Sequence, residues 1–578
     1  MKDCAPQDLS IKSFFLGPQS ENADWLRSEF LSILDHWFTW RQDHFPEDGK
    51  AISREDQKSP EFQDKRKKMH AAIQSLMSRF ENEIPQFSPR YVGHMYSEVS
   101  LPALIGHFIA LLQNPNIIST EAAKVGSFVE EEAIKALGEM VGFDRKDCTG
   151  HFTSGGTVAN IEGLWRARYR MDHFLSLGSY LNQHHGYEFT YFSAAHMGWK
   201  QYNDLIEKHH IHEPDLRGHS IVALGPWRAQ TVYGQTFGHV FQGAVVLVPN
   251  SKHYSWLKAV SLLGFGDESF IPIELDSQGV LDTKDLARKI DHFRSQNRPI
   301  AMIVSVAGTT ELGKCDPVHE VQNILDQQMA QHGYHIWHHV DAAYGGYFCT
   351  LKEKLDERTC ESLKGIARVN SVTVDPHKLG YIPYACGAFL VPDPINDRVS
   401  AFQAEYIQSP HQGIDRWLKT LEGSRAASGA TATWMTNENI GLTEDGYGKI
   451  LEKTIAARAQ LEALLSKRTQ LKYLSHQNLN LLCLVNCSAD GSLAKTNALT
   501  ERLIERINAN GRFMVSKTTL KMEQYAELIK QEAKNMKLNV DTQQMVLLRL
   551  TLMNPFLVTK ETNISYLQEL EKELYENA

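Results

Sequence analysis

With 578 residues, 42% of them hydrophobic, the chain can bury a large core and divide into more than one domain. A net charge of −9, from 60 basic and 69 acidic residues, leaves no global basic footprint for nucleic acid. No run reaches the ~18 apolar residues of a membrane-spanning helix; the longest, Leu101 to Leu112, is interrupted by His107.

In chain order, residues 1–120 read as a helical segment. Met1-Lys-Asp-Cys-Ala-Pro-Gln-Asp lacks the apolar core of a signal peptide. Amphipathic runs follow near 22–41 and 60–81, then the segment Arg90–Glu98. Residues 121–435 alternate helical patterns with β-branched runs at Ala244–Val248, Ala301–Val306, Ile336–Asp341, Ser371–Asp375 and Ala388–Val391. Such alternation predicts a mostly parallel sheet with helices on both faces. The span 178–243, rich in Tyr, His and Gly, is expected to be an insertion near the mouth of the site. Residues 436–578 carry helical patterns near 440–467 and 495–510 and strands near 479–487 and 545–552, which suits a smaller α/β domain.

The eight cysteines are scattered without a Cys-x-x-Cys pair, which favours reduced thiols in a cytoplasmic protein over a disulfide framework. Histidines cluster at His184-His185 and at His209-His210-Ile-His212. No second set of ligands at metal spacing accompanies them, so no metal is expected.

Four motifs carry chemistry. Ser371-Val-Thr-Val-Asp-Pro-His377-Lys378-Leu-Gly is a short strand running into a turn that presents His377 and Lys378 at the carboxyl edge of a sheet. A lysine there is a candidate amine nucleophile toward carbonyl compounds, pyridoxal 5′-phosphate (PLP) among them. Ile336-Trp-His-His-Val-Asp341-Ala-Ala343 ends a second strand in a carboxylate and a small residue. That arrangement suits a protonated pyridine nitrogen and a flat ring. His151-Phe-Thr-Ser-Gly155-Gly156-Thr157 opens a helix whose free N–H groups form an anion site. Lys252-His253-Tyr-Ser-Trp256 offers an imidazole able to stack on a ring. Each alone has an ordinary reading, as a surface lysine, a loop-capping aspartate, an unliganded helix start and a packed histidine.

Together, and in this order, these motifs resemble the PLP-dependent group II amino-acid decarboxylases, with the wording nearest to bacterial tyrosine decarboxylases. The likeness runs from Ser13-Phe-Phe-Leu-Gly through Arg90-Tyr-Val-Gly-His94-Met-Tyr-Ser-Glu98, Asp375-Pro-His-Lys-Leu-Gly-Tyr-Ile-Pro-Tyr384 and Leu421-Glu-Gly-Ser-Arg425 to Val546-Leu-Leu-Arg549-Leu. It implies a large α/β domain of the aspartate aminotransferase type (121–435), a helical N-terminal dimerisation segment (1–120) and a small C-terminal α/β domain (436–578). It further implies a homodimer with its active site at the subunit interface, acting on a small-molecule amino-acid substrate, with no nucleic-acid or membrane partner.

By the same resemblance Lys378 holds PLP, Asp341 keeps the pyridine nitrogen protonated, and His253 and Ala343 sandwich the ring. Gly156 and Thr157 face the phosphate, His377 lies beside phosphate and lysine, and Thr309 or Thr310 reaches the cofactor. Several relatives carry asparagine where this chain has Asp375, so a direct phosphate contact is not expected of that carboxylate. The loop Ile407–Lys419 lacks the tyrosine that many animal enzymes use to reprotonate Cα. Tyr384 is the favoured donor here, with His411 the alternative. His94, Tyr96 and Ser97 are the expected substrate contacts. His94 and Arg425 fit either an aromatic substrate, tyrosine first, or glutamate or aspartate. A PLP-dependent carbon–carbon lyase of the same fold is the remaining alternative.

Overall fold

The computed structural model describes residues 11–351, 353–399, 414–476, 479–559 and 564–578. Its main feature is a seven-stranded sheet built from β1 (Thr149–Thr153), β2 (Val245–Pro249), β3 (Phe270–Ile273), β4 (Ile300–Val306), β5 (His338–Asp341), β6 (Ser371–Val374) and β7 (Gly387–Val391). The order is β1-β7-β6-β5-β4-β2-β3. β7 runs antiparallel to both of its neighbours, and the pairs among β6, β5, β4, β2 and β3 are parallel. The mostly parallel sheet expected from the alternation is therefore present.

The central strands are buried along their whole length, so their β-branched runs pack on both faces. Val246, Val248, Met302 and Val304 face the long helix Gly156–His185. Val245, Leu247 and Ile303 face the other way, against Leu286 and Leu325 of two helices on the opposite side. Two strands escape the sequence pattern. β1 contains Gly150 and His151 in place of an apolar alternation, and a Cβ at Gly150 would lie 2.1 Å from the Phe389 carbonyl oxygen. β3 contains Pro272, which a sheet tolerates at an edge, and β3 is an edge strand.

A second sheet, ordered β10-β11-β9-β8, contains β8 (Leu471–Tyr473), β9 (Leu481–Asn486), β10 (Ser516–Lys521) and β11 (Gln544–Thr551), all antiparallel. The segment Arg90–Gly93 joins its core. Val92 is buried there, Met514 N donates to the Arg90 carbonyl, and Thr551 N donates to the Val92 carbonyl.

Before this lie α1 (Ala23–His44), α2 (Pro60–Phe80) and α3 (Leu101–Gln113), then α4 (Gly126–Met140) and α5 (Gly156–His185). No residue of α1 or α2 is buried. α3 carries no acidic residue in its first turn or basic residue in its last, and it packs on the helix Ser428–Asn439, where a Cβ at Gly106 would strike the Thr431 carbonyl.

The 178–243 insertion folds as the end of α5 and a series of short helices. The expectation that it flanks the site mouth is corrected. Phe192 N donates to Asn297, His196 Nε2 accepts from Ile300 N, and Arg298 Nε donates to the Gly243 carbonyl. These contacts lie at the amino ends of the strands, whereas the site lies at their carboxyl ends.

Candidate active site

Parallel strands aim their carboxyl ends at one edge of the sheet, and there the chain gathers its reactive side chains. A cavity of about 300 Å³ is lined by Ser251 and His253 after β2, Gly308 and Thr310 after β4, Asp341 and Ala343 at β5, and Asp375, His377 and Lys378 after β6. Ser154 to Val158, at the start of α5, close it.

Asp341 is buried and accepts three hydrogen bonds, from Asn160 Nδ2 (2.8 Å), Trp256 Nε1 (3.2 Å) and Ala343 N (3.4 Å). Among the described residues no Lys or Arg pairs with it. Neutral donors orient such a carboxylate but leave its charge uncompensated, so it suits a ligand that brings a proton or a cation.

The N-terminus of α5 has no side-chain cap; Val158 N and Ala159 N donate to the Gly155 carbonyl, and the Gly156 and Thr157 N–H groups are left without a hydrogen bond among the described residues, beside the cavity. A Cβ at Gly156 would lie 3.0 Å from Asp375 Oδ2 and 3.2 Å from the Ala343 Cβ, so only glycine keeps this cradle open. Ser251 Oγ is buried and makes no hydrogen bond among the described residues. An anionic group, a flat ring and a protonated ring nitrogen are each provided for, so the residues present fit PLP.

Lys378 Nζ lies 3.0 Å from Asp375 Oδ2, and His377 Nε2 lies 3.6 Å from the same oxygen. His377 Nδ1 is 2.6 Å from the Cys386 carbonyl, so Nδ1 carries the proton. Burial holds the His377 pKa below its ordinary value, and His253 shows the same direction for the same reason.

Among the other expected residues, Thr309 requires a correction. Its Oγ1 accepts the Lys314 amide at 3.0 Å within the turn, and Thr310, not Thr309, lines the cavity. Arg425 is also corrected. It is buried against Glu130 and donates to the carbonyls of Ile117 and Phe152, which removes it from any substrate role.

Tyr384 is 57% exposed, with its ring 4.2 Å from that of His377 and 6.4 Å from that of Tyr96. Burial of its hydroxyl group and the Asp375 charge push its pKa up to about 12, which keeps the phenol protonated. His94 stacks on Tyr96 at 6.3 Å. His94, Tyr96 and Ser97 do not line the cavity itself, and Ser97 is buried. His411 and the rest of 407–413 lie outside the described residues.

Arg549 was not anticipated. It sits in the apolar strand β11 and donates from Nε to Ser516 Oγ, from Nη1 to the Thr310 carbonyl and from Nη2 to His94 Nδ1. A cation inside an apolar strand was the available signal. Asn160 and Trp256 stood within the motifs without an assigned role.

Residues 237–485 match the family model described as the pyridoxal-dependent decarboxylase conserved domain. The chain is 30% identical over 482 residues to the L-tyrosine decarboxylase of Levilactobacillus brevis, covering 77% of this chain and 73% of that protein. The chain belongs to the pyridoxal-dependent decarboxylases. Its likeness to the L-tyrosine decarboxylase of Enterococcus faecium is 27% over 622 residues and covers 98% of each chain. The fold is that of Oryza sativa TDC with PLP and tryptamine, with a TM-score of 0.65 at 17% identity, covering 96% of this chain and 98% of that one. The protein is thus a PLP-dependent amino-acid decarboxylase, a carboxy-lyase of the group II family. Among the described residues, no helix of this decarboxylase is long and apolar enough to cross a membrane, and no group of His, Cys, Asp and Glu is arranged to hold a metal.

Proposed function

We propose that this decarboxylase converts an aromatic L-amino acid, tyrosine first, to the corresponding amine and CO₂. The observation that carries the reading is the His94–Arg549 contact. A guanidinium donates only, so His94 Nδ1 must accept at 3.1 Å. Burial, then the Arg549 charge, keeps this imidazole neutral. Its one ring proton therefore sits on Nε2, a donor suited to a phenol oxygen. Tyr96 stacks on it, and Tyr91 and Tyr384 pack in turn against Tyr96, which adds aromatic surface. An acidic substrate would need a cation free to meet it, and three of the five Arg549 N–H groups already donate to protein acceptors. The tyrosine decarboxylases among the relatives support the same reading.

Bound PLP supplies the sink for the electron pair of the breaking Cα–carboxylate bond. Lys378 Nζ is the amine that anchors it. Asp341 holds a proton at the ring nitrogen, oriented by Asn160, Trp256 and Ala343. When PLP is bound, His253 and Ala343 would sandwich its ring, and Gly156 and Thr157 would hold its phosphate with His377 nearby. The Tyr384 hydroxyl returns the proton to Cα. His94 and Tyr96 orient the substrate ring, with Ser97 as a third substrate contact.

The same proposal includes the division into 1–120, 121–435 and 436–578, a homodimer with a shared active site, and a cytoplasmic location. The exposed apolar face of the N-terminal helices supports the dimer. Seven described cysteines, all free, support a reducing compartment.

The test is CO₂ release with PLP from tyrosine, phenylalanine, tryptophan, dihydroxyphenylalanine, glutamate and aspartate, with Lys378→Ala as control. Release from tyrosine and its relatives is expected. Release from glutamate or aspartate alone would overturn the substrate and keep the reaction.

A further inference from the structure

The polar atoms around Asp341 form one buried network whose hydrogen-bond directions follow from the groups that can only accept or only donate. A carboxylate only accepts, so the Asn160 side-chain atom 2.8 Å from Asp341 Oδ2 is the amide nitrogen. That nitrogen's second proton goes to Ser255 Oγ at 3.0 Å. The amide oxygen is then left facing Thr373 Oγ1 at 2.7 Å and His339 Nε2 at 3.2 Å, and both must donate. His339 is fully buried and neutral, its pKa driven down to about 3 by burial. With its single proton on Nε2, its Nδ1 accepts from Ser371 Oγ at 2.7 Å, and Ser371 accepts in turn from Trp337 Nε1 at 2.9 Å. Every donor and acceptor agrees.

The other branch reaches His253. Ser255 Oγ accepts from Asn160, so its own proton is free for His253 Nδ1 at 3.0 Å. The Ser255 backbone N–H points at the same Nδ1 at 3.3 Å, and a backbone N–H can only donate. His253 Nδ1 is therefore an acceptor, and the ring proton belongs on Nε2.

We infer that Asn160 and Ser255 are positioning residues that lock His253 as its Nε2–H tautomer and tie it to the carboxylate facing the cofactor's ring nitrogen. The inference rests on the reading of His253 as the imidazole over the cofactor ring. One amide, Asn160, serves both parts of the site: it orients Asp341 directly and, through Ser255, the His253 imidazole. Buried networks of this kind hold geometry when all members are satisfied and lose it together when one is removed.

The decisive measurement is a double-mutant cycle on PLP affinity, read by titrating the apoenzyme, with Ser255→Ala, His253→Gln and the pair. Ser255→Ala is expected to weaken PLP about tenfold in the wild-type background, the scale of one buried hydrogen bond. In the His253→Gln background its effect is expected to shrink to the part carried by the Asn160 contact, well below the wild-type loss. Equal losses in both backgrounds, or no loss in either, would overturn the inference. A second readout needs neither cofactor nor turnover. In ¹⁵N-histidine-labelled apoprotein, the resonance that disappears in His253→Gln is expected to show a protonated Nε2 and an unprotonated Nδ1; the reverse tautomer would overturn the lock. If the wild type bound no PLP, the cofactor assignment would fall, and the His253 resonance would still decide the tautomer.

Discussion

Lys378 Nζ lies 3.0 Å from Asp375 Oδ2, at the same point where that carboxylate oxygen would touch a Cβ on Gly156. One carboxylate thus serves the anchoring amine and borders the anion cradle. With PLP held by Lys378 and its phosphate at the Gly156 cradle, Asp375 would face an added negative charge across that cradle. Asp375→Asn is expected to bind PLP several-fold more tightly, with Lys378 still competent to hold it. Equilibrium titration of the apoenzyme checks this. Weaker binding would show that the carboxylate's hold on Lys378 outweighs its repulsion of phosphate.

Tyr384 is the proposed proton donor. Its phenol is protonated across the neutral range, and the ring stands over His377 at the rim of the site. Tyr384→Phe is expected to slow reprotonation of Cα by roughly the 10²–10⁴-fold of general acid catalysis while PLP binding stays intact. Single-turnover amine formation measures it. Normal turnover in the variant would transfer the role elsewhere.

Glu98 is buried, with one oxygen accepting from Gly17 N at 3.1 Å and the other without a hydrogen bond among the described residues. Burial pushes its pKa from the ordinary 4.5 up to about 7. Between these two values the folded chain holds a proton that the unfolded chain has lost, so this group's contribution to stability falls as pH rises from 4.5 to 7 and is flat above. Glu98→Gln removes that slope. The variant is expected to match wild type near pH 4.5 and to exceed it at pH 8 by a few kcal/mol, on the order of 1.4 kcal/mol for each unit of displacement. Urea unfolding at the two pH values distinguishes this from a variant that is equally stable relative to wild type at both.

On α2, Met69, Ile73, Leu76, Met77 and Phe80 are all exposed and recur at helical spacing, so they form one apolar stripe with no cover in the single chain. Leu31, Phe38 and Trp40 of α1 are equally bare. A second copy of the chain is the expected cover. Ile73→Glu with Leu76→Glu is expected to shift the mass in sedimentation from twice 65.5 kDa to that value and to abolish decarboxylation. A monomeric wild type would refute the assignment of the stripe.

Much of the architecture was legible because strands with both faces buried must be apolar throughout. The runs at 244–248, 301–306 and 388–391 reveal β2, β4 and β7 within a residue or so. β1 was hidden because its pairing depends on a glycine that lets Phe389 approach, and β3 because its edge position tolerates a proline. The amphipathic runs near 22–41 and 60–81 correspond to α1 and α2, whose period survives even where nothing covers them.

The reactive motifs were readable because each is local: Lys378 with His377, Asp341 with Ala343, and Gly156 with Thr157 sit within a few residues on one strand end or helix start. Their partners were not. Asn160 reaches Asp341 across 181 positions, Arg549 reaches His94 across 455, and Arg425 is consumed by Glu130 across 295. The choice of Thr310 over Thr309 turned on which hydroxyl a turn amide had already claimed. Periodicity and local motif determine which residues face inward and which chemistry they offer. Strand order and helix packing decide who lies opposite, and only that placement settles which lone pair or proton is left for the substrate.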